Sequence, residues 1–474
     1  MRYPVYLINK KFYYLLFGLA LLAWRLIINY SHDLIPGIGG GYYPVQIRAI
    51  LETGKLAFRD MPLYFYLNAL IVKMIWLISG AENDQVILHV TRILDSMIPP
   101  LMVIPFYKLS SRFTGDDLKW YFEIPALAYA TLSIAPLFMV AEASKNSSAY
   151  PLMAFFLFYM FEFFRERSST KTFFAVLFLI LTGLTHFGVF TVSLTILLIS
   201  LSVFYRVRAI PIIVIIVVAS LGFVYLFDPG RLDSMLWVPV TLFRNAMFRY
   251  GPETYSLITY PATLIILSCA LIILLRRKMK PERYDRKVFV ILLISIGFFS
   301  LPVLGREYFN RFSMILFIPM FILILQLLSI SARGIKWVIV ITIFLTVASS
   351  FIYMIIKPKT PALSQDAYAD LKKFGNMLEK PSSTLVIPRH GIEWWTTWEL
   401  RTKIGGTGSL DQESFRKYDQ VLVLVHKKGS YHKNMPVHFA IKEPKISGDH
   451  KVFYESDHFL AVEIDSTDLS FYSE

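Results

Sequence analysis

The sequence is poor in cysteine and in charge. Cys269 is the only cysteine among its 474 residues, and it lies within an apolar run. One thiol cannot form a disulfide within the chain or a cysteine-based metal site, so we expect a small apolar core residue here. Charged residues make up 17% of the chain against 55% hydrophobic residues. This balance excludes an ordinary soluble enzyme.

Long apolar runs recur instead between residues 12 and 356. A helix needs roughly 20 such residues to cross a bilayer, and the repetition argues against buried helices of a soluble protein. The first run is too long for the core of a cleavable signal. We therefore predict a polytopic α-helical membrane protein with about eleven transmembrane helices. The predicted spans are 12–30, 86–107, 121–141, 149–164, 172–186, 188–205, 210–227, 255–275, 288–304, 312–331 and 337–356.

The net charge of +14 is not a nucleic-acid signal, because it belongs to the apolar part of the chain. Residues 357–474 hold 16 basic and 16 acidic residues, so the tail is formally neutral. With a cytoplasmic N-terminus, the inner loops are about four times denser in basic residues than the outer loops, as the positive-inside rule requires. This predicts a multi-pass protein of the cell membrane with an extracytoplasmic tail.

The domain organisation follows from this topology. Residues 1–356 form the predicted membrane domain, and residues 31–85 form its first external loop. Within the loop, 61–80 is apolar enough to span, which would give twelve helices and reverse the later loops. Charge argues against that reversal, so we predict an interfacial helix at 61–80.

The tail, residues 357–474, is predicted to be a small soluble α/β domain. Residues 364–378 have helical spacing, 384–388 and 420–425 read as buried strands, and a helix is expected around GIEWWTTWEL. His390 and Trp394 follow a strand end, where ligand contacts often lie. The alternative is an aromatic core or a docking surface.

Polar loops on the predicted outer side carry the candidate chemistry. The first loop contains His32, Asp33 and Asp60, and the second contains Glu142 and Lys145. Later outer loops carry four arginines, where the positive-inside rule disfavours them. Such cations beside apolar side chains could hold a lipid phosphate. The alternative is nonspecific headgroup binding or pairing with nearby glutamates. The arginines are Arg244, Arg249, Arg306 and Arg311.

Two further arginines, Arg25 and Arg92, lie at or near membrane depth. Such charges usually face a protein interior or an aqueous cavity. Arg25 is close to the outer end of its helix, so snorkelling to the interface is the alternative we favour there.

The order of these features resembles the GT-C glycosyltransferases, which include oligosaccharyltransferases, protein O-mannosyltransferases and aminoarabinose transferases. One span is followed by a long external loop with interfacial helices, then a span ending in MVIPFYKLSSRFTG, then a span with a polar outer end. The resemblance is best over 12–165, extends loosely to GREYFNRFSMILFIP, and includes the soluble tail. It implies a transferase that takes a sugar from a polyprenyl-phosphate donor and acts on the external face.

The resemblance also implies roles for residues. An external carboxylate would take a proton from the acceptor or orient it, and basic residues would hold the donor phosphate. Acceptor or accessory contacts would come from other polar and aromatic side chains. The implied catalytic residues are Asp33, Asp60 and Glu142; the donor-phosphate or lipid ligands are Lys145, Arg244, Arg249, Arg306 and Arg311; the acceptor or accessory residues are His32, Tyr42, Tyr43, His186, His390 and Trp394.

Two departures from the family pattern stand out. The position that matches the family's first-loop acid lies near Gly40 and is not acidic. The Asp-x-Asp motif of oligosaccharyltransferases is replaced by Glu142 with Lys145 nearby, a poor divalent-metal site. We therefore expect no obligatory cofactor or metal, although a divalent cation stays an alternative.

The expected partners are the bilayer, a polyprenyl-phosphate sugar and a glycan, lipid or protein acceptor, with no nucleic acid. Two rival functions stay open. One is a lipid or solute transporter, which would place charges near the bilayer midplane, often in two related halves. The other is a catalytically inactive relative that serves as an assembly subunit.

Overall fold

The structure is a computed structural model. It describes residues 10–114, 118–141, 143–230, 232, 237–275, 283–388, 391–404, 412–427 and 451–465. Contacts divide the chain into two compact units. The first unit comprises Met1–Leu26, Phe58–Leu67 and Ile93–Ile356. The second comprises Ile27–Ala57, Asn68–Arg92 and Lys357–Glu474.

Helices account for nearly all of the regular structure before residue 357. The helices up to residue 227 are α1 (Lys10–Tyr30), α2 (Tyr42–Thr53), α3 (Leu63–Ser79), α4 (Asp84–Met97), α5 (Val103–Thr114), α6 (Trp120–Leu132), α7 (Ile134–Phe138), α8 (Ser144–Glu166), α9 (Ser169–Thr185), α10 (Phe187–Tyr205) and α11 (Ile210–Phe227). The later ones are α12 (Val238–Thr241), α13 (Met247–Tyr250), α14 (Thr254–Leu275), α15 (Arg283–Phe299), α16 (Arg306–Ser313), α17 (Phe317–Ile330) and α18 (Arg333–Ile356).

The core of the first unit packs around helix α17. Every residue of this helix from Phe317 to Leu328 is buried, as expected for a helix that is apolar all round. It packs against α5, α6 and α15. The ring centroids of Phe106 in α5 and Phe321 in α17 lie 4.6 Å apart. Between α16 and α17 the chain bends by 57°.

Each predicted span overlaps one helix or, as at 86–107 and 121–141, two consecutive helices, but the count of eleven transmembrane helices is not confirmed. Among the described residues, seven helical stretches are long and apolar enough to cross a membrane, or eight if the bent pair α16 and α17 counts as one. Helices α10 and α11 form one stretch of 41 residues, joined by a 3-10 turn at Arg206–Ala209. Helix α9 has only 17 residues, fewer than the roughly 20 that a span needs. The many-span membrane architecture is confirmed.

The tail folds around a five-stranded sheet. Its strands are β1 (Thr384–Pro388), β2 (Lys403–Ile404), β3 (Gln420–His426), β4 (Lys451–Glu455) and β5 (Phe459–Glu463). Their order is β2-β1-β3-β5-β4, with β1 parallel to β2 and β3, and β5 antiparallel to β3 and β4. All of β1 is buried, which explains its unbroken apolar run because central parallel strands are covered on both faces. The helices of the tail are α19 (Gln365–Met377), α20 (Glu393–Leu400) and α21 (Gln412–Lys417).

Asp370 of α19 anchors the helix to the sheet. Its carboxylate lies 2.8 Å from Nδ1 of His458 and accepts from Lys373 at 3.1 Å, while its backbone carbonyl accepts from the Tyr454 hydroxyl. Burial opposes ionisation of this carboxylate. The hydrogen bonds from His458 and Lys373 outweigh that cost, so the pKa of Asp370 is lowered from 3.8.

Asp370→Asn is therefore expected to destabilise the protein near neutral pH. A depressed pKa means that the stabilisation is present above the unfolded value of 3.8 and is lost as pH falls through the lower folded value. At pH 7 the variant should lose about 1.5 kcal/mol, the lower end for a hydrogen bond to a charged group. Unfolding of the full chain in detergent, followed by tryptophan fluorescence at several pH values, measures this.

Asp419→Asn is the matched control. Asp419 lies 4.0 Å from Lys380 with both side chains well exposed, and such pairs contribute little. A loss for Asp370→Asn that is equally large at pH 7 and pH 3 would show that ionisation of the carboxylate is not what stabilises this contact.

Candidate functional site

Two residues that the sequence assigned to different roles meet in the first unit. Asp60 lies just before α3, and Lys145 lies in the first turn of α8. The Lys145 ammonium donates to Oδ2 of Asp60, while Oδ1 of Asp60 accepts from the Met61 backbone N–H at 2.8 Å. The Asp60 side chain is only 4% exposed and the Lys145 side chain only 16%. This contact joins a candidate proton acceptor to a candidate phosphate ligand.

The start of α8 offers further stabilisation for a negative charge. The first N–H groups of a helix lack partners within it and carry partial positive charge. The residue before the first turn, Ala143, gives no side-chain cap. The Lys145 ammonium lies in the same turn, 6.0 Å from the centre of the Phe65 ring, which is buried. An anion at this point would meet a cation, a helix amino end and an apolar wall.

The turn before α8 has an unusual backbone. Ala141 has a φ of 64°, in the left-handed region that costs a residue with a side chain about 1–2 kcal/mol. The Ser144 hydroxyl donates to the Ala141 carbonyl at 2.5 Å, and the Ser147 N–H donates to the Ala143 carbonyl at 3.0 Å. These hydrogen bonds stabilise the turn that leads into α8, where Lys145 lies.

The buried ion pair between Arg25 and Asp95 is hydrogen-bonded to this turn. Arg25 is fully buried, and its guanidinium donates to the Asp95 carboxylate at 2.7 Å. The other oxygen of Asp95 accepts from the Ala141 N–H at 3.0 Å. The preference for snorkelling at Arg25 is therefore wrong, because the side chain turns into the protein and finds a carboxylate partner. Sequence reasoning missed Asp95, although a carboxylate inside a predicted span was itself the signal.

The four arginines of the predicted outer loops lie on two hydrogen-bonded segments. Ala246 and Gly305 form an antiparallel bridge, the Met247 N–H donates to the Leu304 carbonyl at 2.8 Å, and the Arg306 N–H donates to the Asn245 carbonyl at 2.9 Å. A Cβ on Gly305 would lie 2.6 Å from the Arg244 carbonyl oxygen, so this approach requires glycine.

The structure supplies glutamate partners for two of these arginines. Arg306 pairs with Glu253 at 2.6 Å and Arg311 with Glu307 at 2.5 Å, so the expected alternative of glutamate pairing is realised at both. Arg244 and Arg249 are exposed, beside exposed Phe243 and Phe248. Cations beside such apolar side chains suit an interface between water and lipid.

Asp33 and His32 belong to the second unit. The Asp33 carboxylate is exposed and accepts from the Gln365 side chain. The Arg92 guanidinium donates to the backbone carbonyls of both His32 and Asp33, and it lies 5.3 Å from the centre of the Tyr30 ring. Arg92 therefore fixes the backbone that presents the Asp33 carboxylate.

The aromatic candidates of the second unit pack α2 against α20. The rings of Tyr42 and Trp394 meet edge to face at 4.8 Å, and Tyr43 is 2% exposed. The Arg48 guanidinium lies 4.4 Å from the Trp398 ring centre and donates to the Trp398 carbonyl at 2.7 Å. The alternative that was expected for Trp394, aromatic packing, thus describes its contact with Tyr42.

The remaining candidates divide into two groups. His186 caps α10, with its Nδ1 accepting from the Val189 N–H at 3.2 Å. Glu142 and His390 lie outside the described residues. In the part of the chain that the structure describes, no group of three or more metal-ligating side chains is found.

Gly40 has a steric reason for its lack of a side chain. A Cβ on Gly40 would clash with the Ile35 carbonyl oxygen. Such a contact forces the backbone to move. Gly40, near which the position that matches the family's first-loop acid lies, therefore cannot carry a side chain in this backbone conformation.

The Asp60–Lys145 pair has consequences for stability. Lys145→Met leaves a buried carboxylate without its cation, so we expect a loss of about 3 kcal/mol. Asp60→Asn/Lys145→Met removes both charges and should recover most of that loss. The free energies of unfolding of the parent protein, Lys145→Met and the double variant, measured on the full chain in detergent, test this expectation.

Arg311→Met provides the control. It breaks a pair in which both side chains are 71% exposed, and its cost should stay below about 1 kcal/mol. Equal losses from Arg311→Met and Lys145→Met would contradict the account of a buried pair.

Comparisons with known proteins bear on the fold. No family model and no curated protein matches the chain. The solved structure of the aminoarabinose transferase ArnT from Cupriavidus metallidurans, bound to undecaprenyl phosphate, superposes with a TM-score of 0.54 at 12% identity, over 96% of this chain and 99% of that one. The oligosaccharyltransferase from Archaeoglobus fulgidus, in complex with zinc and sulfate, gives a TM-score of 0.54 at 10% identity, over 86% and 67%. The resemblance predicted from the sequence is thus confirmed for the fold, which this chain shares with two GT-C membrane glycosyltransferases.

Proposed function

We propose that this protein is a membrane glycosyltransferase that moves a sugar from a polyprenyl-phosphate donor to an acceptor on the external face. The observation that carries the proposal is the contact between Asp60 and Lys145 in a chain with a GT-C fold. A carboxylate and an ammonium, mostly shielded from water, are the two groups that this transfer requires.

The reaction needs one base and one anion site. A hydroxyl or amine of the acceptor attacks the anomeric carbon, and the bond from that carbon to the phosphate oxygen breaks. The electron pair of that bond leaves on the lipid phosphate. The acceptor proton goes to the Asp60 carboxylate. Lys145 and the amino end of α8 stabilise the departing phosphate, because its negative charge increases as the bond breaks.

Donor binding has a specific electrostatic effect in this scheme. In the structure, Lys145 neutralises Asp60. A phosphate that draws the ammonium toward itself weakens that pairing and makes the carboxylate a better proton acceptor. The site then gains its base when the donor is bound.

The lipid carrier is proposed on two grounds. The ArnT structure that shares this fold is bound to undecaprenyl phosphate. In this chain, Arg244 and Arg249 are exposed beside Phe243 and Phe248, an arrangement suited to a lipid phosphate and its chain. The sugar that we propose to be transferred is a hexosyl group.

The membrane placement belongs to the same proposal. The density of basic residues supports a cytoplasmic N-terminus, with residues 31–85 as an external interfacial loop and residues 357–474 as an extracytoplasmic domain. Helix α3, with 17 residues, is shorter than a typical span. This supports an interfacial position for it.

Asp33 is the second candidate for the proton acceptor. It is exposed, which favours acceptor access, whereas Asp60 is buried beside a cation. The two carboxylates are distinguishable, because only loss of Asp60 changes the charge next to Lys145. Glu142 stays a third candidate.

Purified full-length protein in nanodiscs should bind undecaprenyl phosphate. Lys145→Met should weaken this binding at least tenfold, because it removes the cation for the phosphate, whereas Lys451→Met, in a pair with Glu463 in which Lys451 is well exposed, serves as the surface control. When the deletion strain expresses Asp60→Asn in place of the parent protein, product formation should fall by about 10²–10⁴-fold, the range for loss of a general base. Native mass spectrometry and a glycolipid profile of the deletion strain provide the measurements.

The competing functions give different results. A protein that binds the lipid but never consumes any polyprenyl-phosphate sugar would be an assembly subunit, and one that moves the lipid across the bilayer without sugar transfer would be a transporter. No binding or consumption of these lipids, together with full complementation by Asp60→Asn and Asp33→Asn, would refute the proposal.

A further inference from the structure

Lys145 follows a turn that is bound by a buried ion pair between Arg25 and Asp95. We propose that Arg25 and Asp95 are positioning residues, which fix the turn before α8 so that Lys145 points to its phosphate-binding place. The functional part of this inference rests on the proposed function. The structural part concerns the turn alone.

Arg25 binds both ends of the turn. Its guanidinium donates to the Met139 carbonyl at 2.8 Å on one side of Lys145 and to the Ser147 hydroxyl at 2.9 Å on the other. A third nitrogen donates to the Asp95 backbone carbonyl at 2.7 Å. Because the guanidinium is planar and rigid, these acceptors are held at set distances from one another.

Asp95 completes the arrangement from the other side. One carboxylate oxygen accepts from Arg25 and the other accepts from the N–H of Ala141. Ala141 is the residue with the left-handed backbone, where a side chain is unfavourable. The carboxylate therefore holds a strained residue four positions before Lys145.

The direction of Lys145 depends on the register of α8, which the preceding turn sets. An α-helix has 3.6 residues per turn, so a one-residue shift in the register of α8 rotates each of its side chains by roughly 100°. Such a rotation would move the Lys145 ammonium away from the Asp60 carboxylate. Lys10 of α1 and Glu123 of α6 form another ion pair in the first unit, at 2.9 Å, and this pair is a suitable comparison.

The turn can be monitored without any ligand. Cys269 is the only cysteine and is buried, so Cys269→Ala provides a background for Asn146→Cys, at a half-buried position beside Lys145. In that background, Asp95→Asn should raise the rate of modification by a charged methanethiosulfonate reagent at least tenfold. Ser147→Ala, a milder change that removes one acceptor of Arg25, should raise it about threefold. Glu123→Gln should leave it within twofold.

The affinity for undecaprenyl phosphate tests the functional part of this inference. Asp95→Asn should weaken the affinity for undecaprenyl phosphate at least tenfold, while lowering the melting temperature no more than Glu123→Gln does. If Asp95→Asn fails to fold, Ser147→Ala supplies both measurements. Modification rates within twofold for the Asp95 and Ser147 variants would overturn the structural part, and unchanged lipid affinity would overturn the functional part.

Failure of the proposed function has a different signature. If the parent protein does not bind undecaprenyl phosphate, the proposed donor is refuted. The modification rates at position 146 then still decide whether Arg25 and Asp95 position the turn.

Discussion

A guanidinium ion that is shut off from water must find acceptors within the protein, and Arg25 is such an ion. Leaving its charge or its N–H groups unsatisfied would cost several kcal/mol. The first unit meets this requirement with the Asp95 carboxylate and with backbone and hydroxyl acceptors at Met139 and Ser147. The path of the chain around the start of α8 depends on this one constraint, because all of these acceptors must face inward together.

The same shielding from water governs the candidate site. Electrostatic interactions are stronger where the effective dielectric constant is low, so Asp60 and Lys145 interact more strongly than an exposed pair such as Arg311 and Glu307. A phosphate in such a place would also be held strongly, provided that its charge is matched by a cation. The structure thus separates two kinds of charge: buried charges with set partners, and exposed arginines at 244 and 249 beside apolar side chains.

The second unit depends on a different constraint, which is close backbone approach. A Cβ on Gly41 would lie 2.9 Å from the backbone of Trp394, so α2 and α20 pack closely only with glycine at this position. Arg48 then bonds carbonyls at the end of α20. The first-loop segment and the tail thereby share one compact unit, although some 300 residues separate them in the sequence.

Much of the fold could be predicted because it is recorded in local patterns. The apolar runs predicted where helices lie, and the tail's helix at 364–378 and strands at 384–388 and 420–425 are confirmed. Strand β4 was missed because its sequence, KVFYE, is mostly exposed and has a charged residue at each end, so it lacks the continuous apolar signal of a buried strand. The count of eleven spans is not confirmed, since length and composition do not show where one helix continues into the next.

The candidate site was predictable only in part. Asp60 and Lys145 were both selected from outer-loop charge, but the pattern did not pair them. The glutamate partners of Arg306 and Arg311 were foreseen because they are adjacent in sequence or in neighbouring loops. Asp95 was missed, and Arg25 was expected to snorkel, because a single charged position does not reveal which way its side chain turns.

The sequence by itself determined the class of protein, its helices and the sign and location of its charge, since these depend on residues near one another in the chain. Only the tertiary structure decided which charges meet. Asp60 is 85 positions from Lys145, and Arg25 is 70 positions from Asp95. Such partners are selected by the packing of whole helices, which satisfies buried charges across the fold and leaves no periodic trace in the sequence.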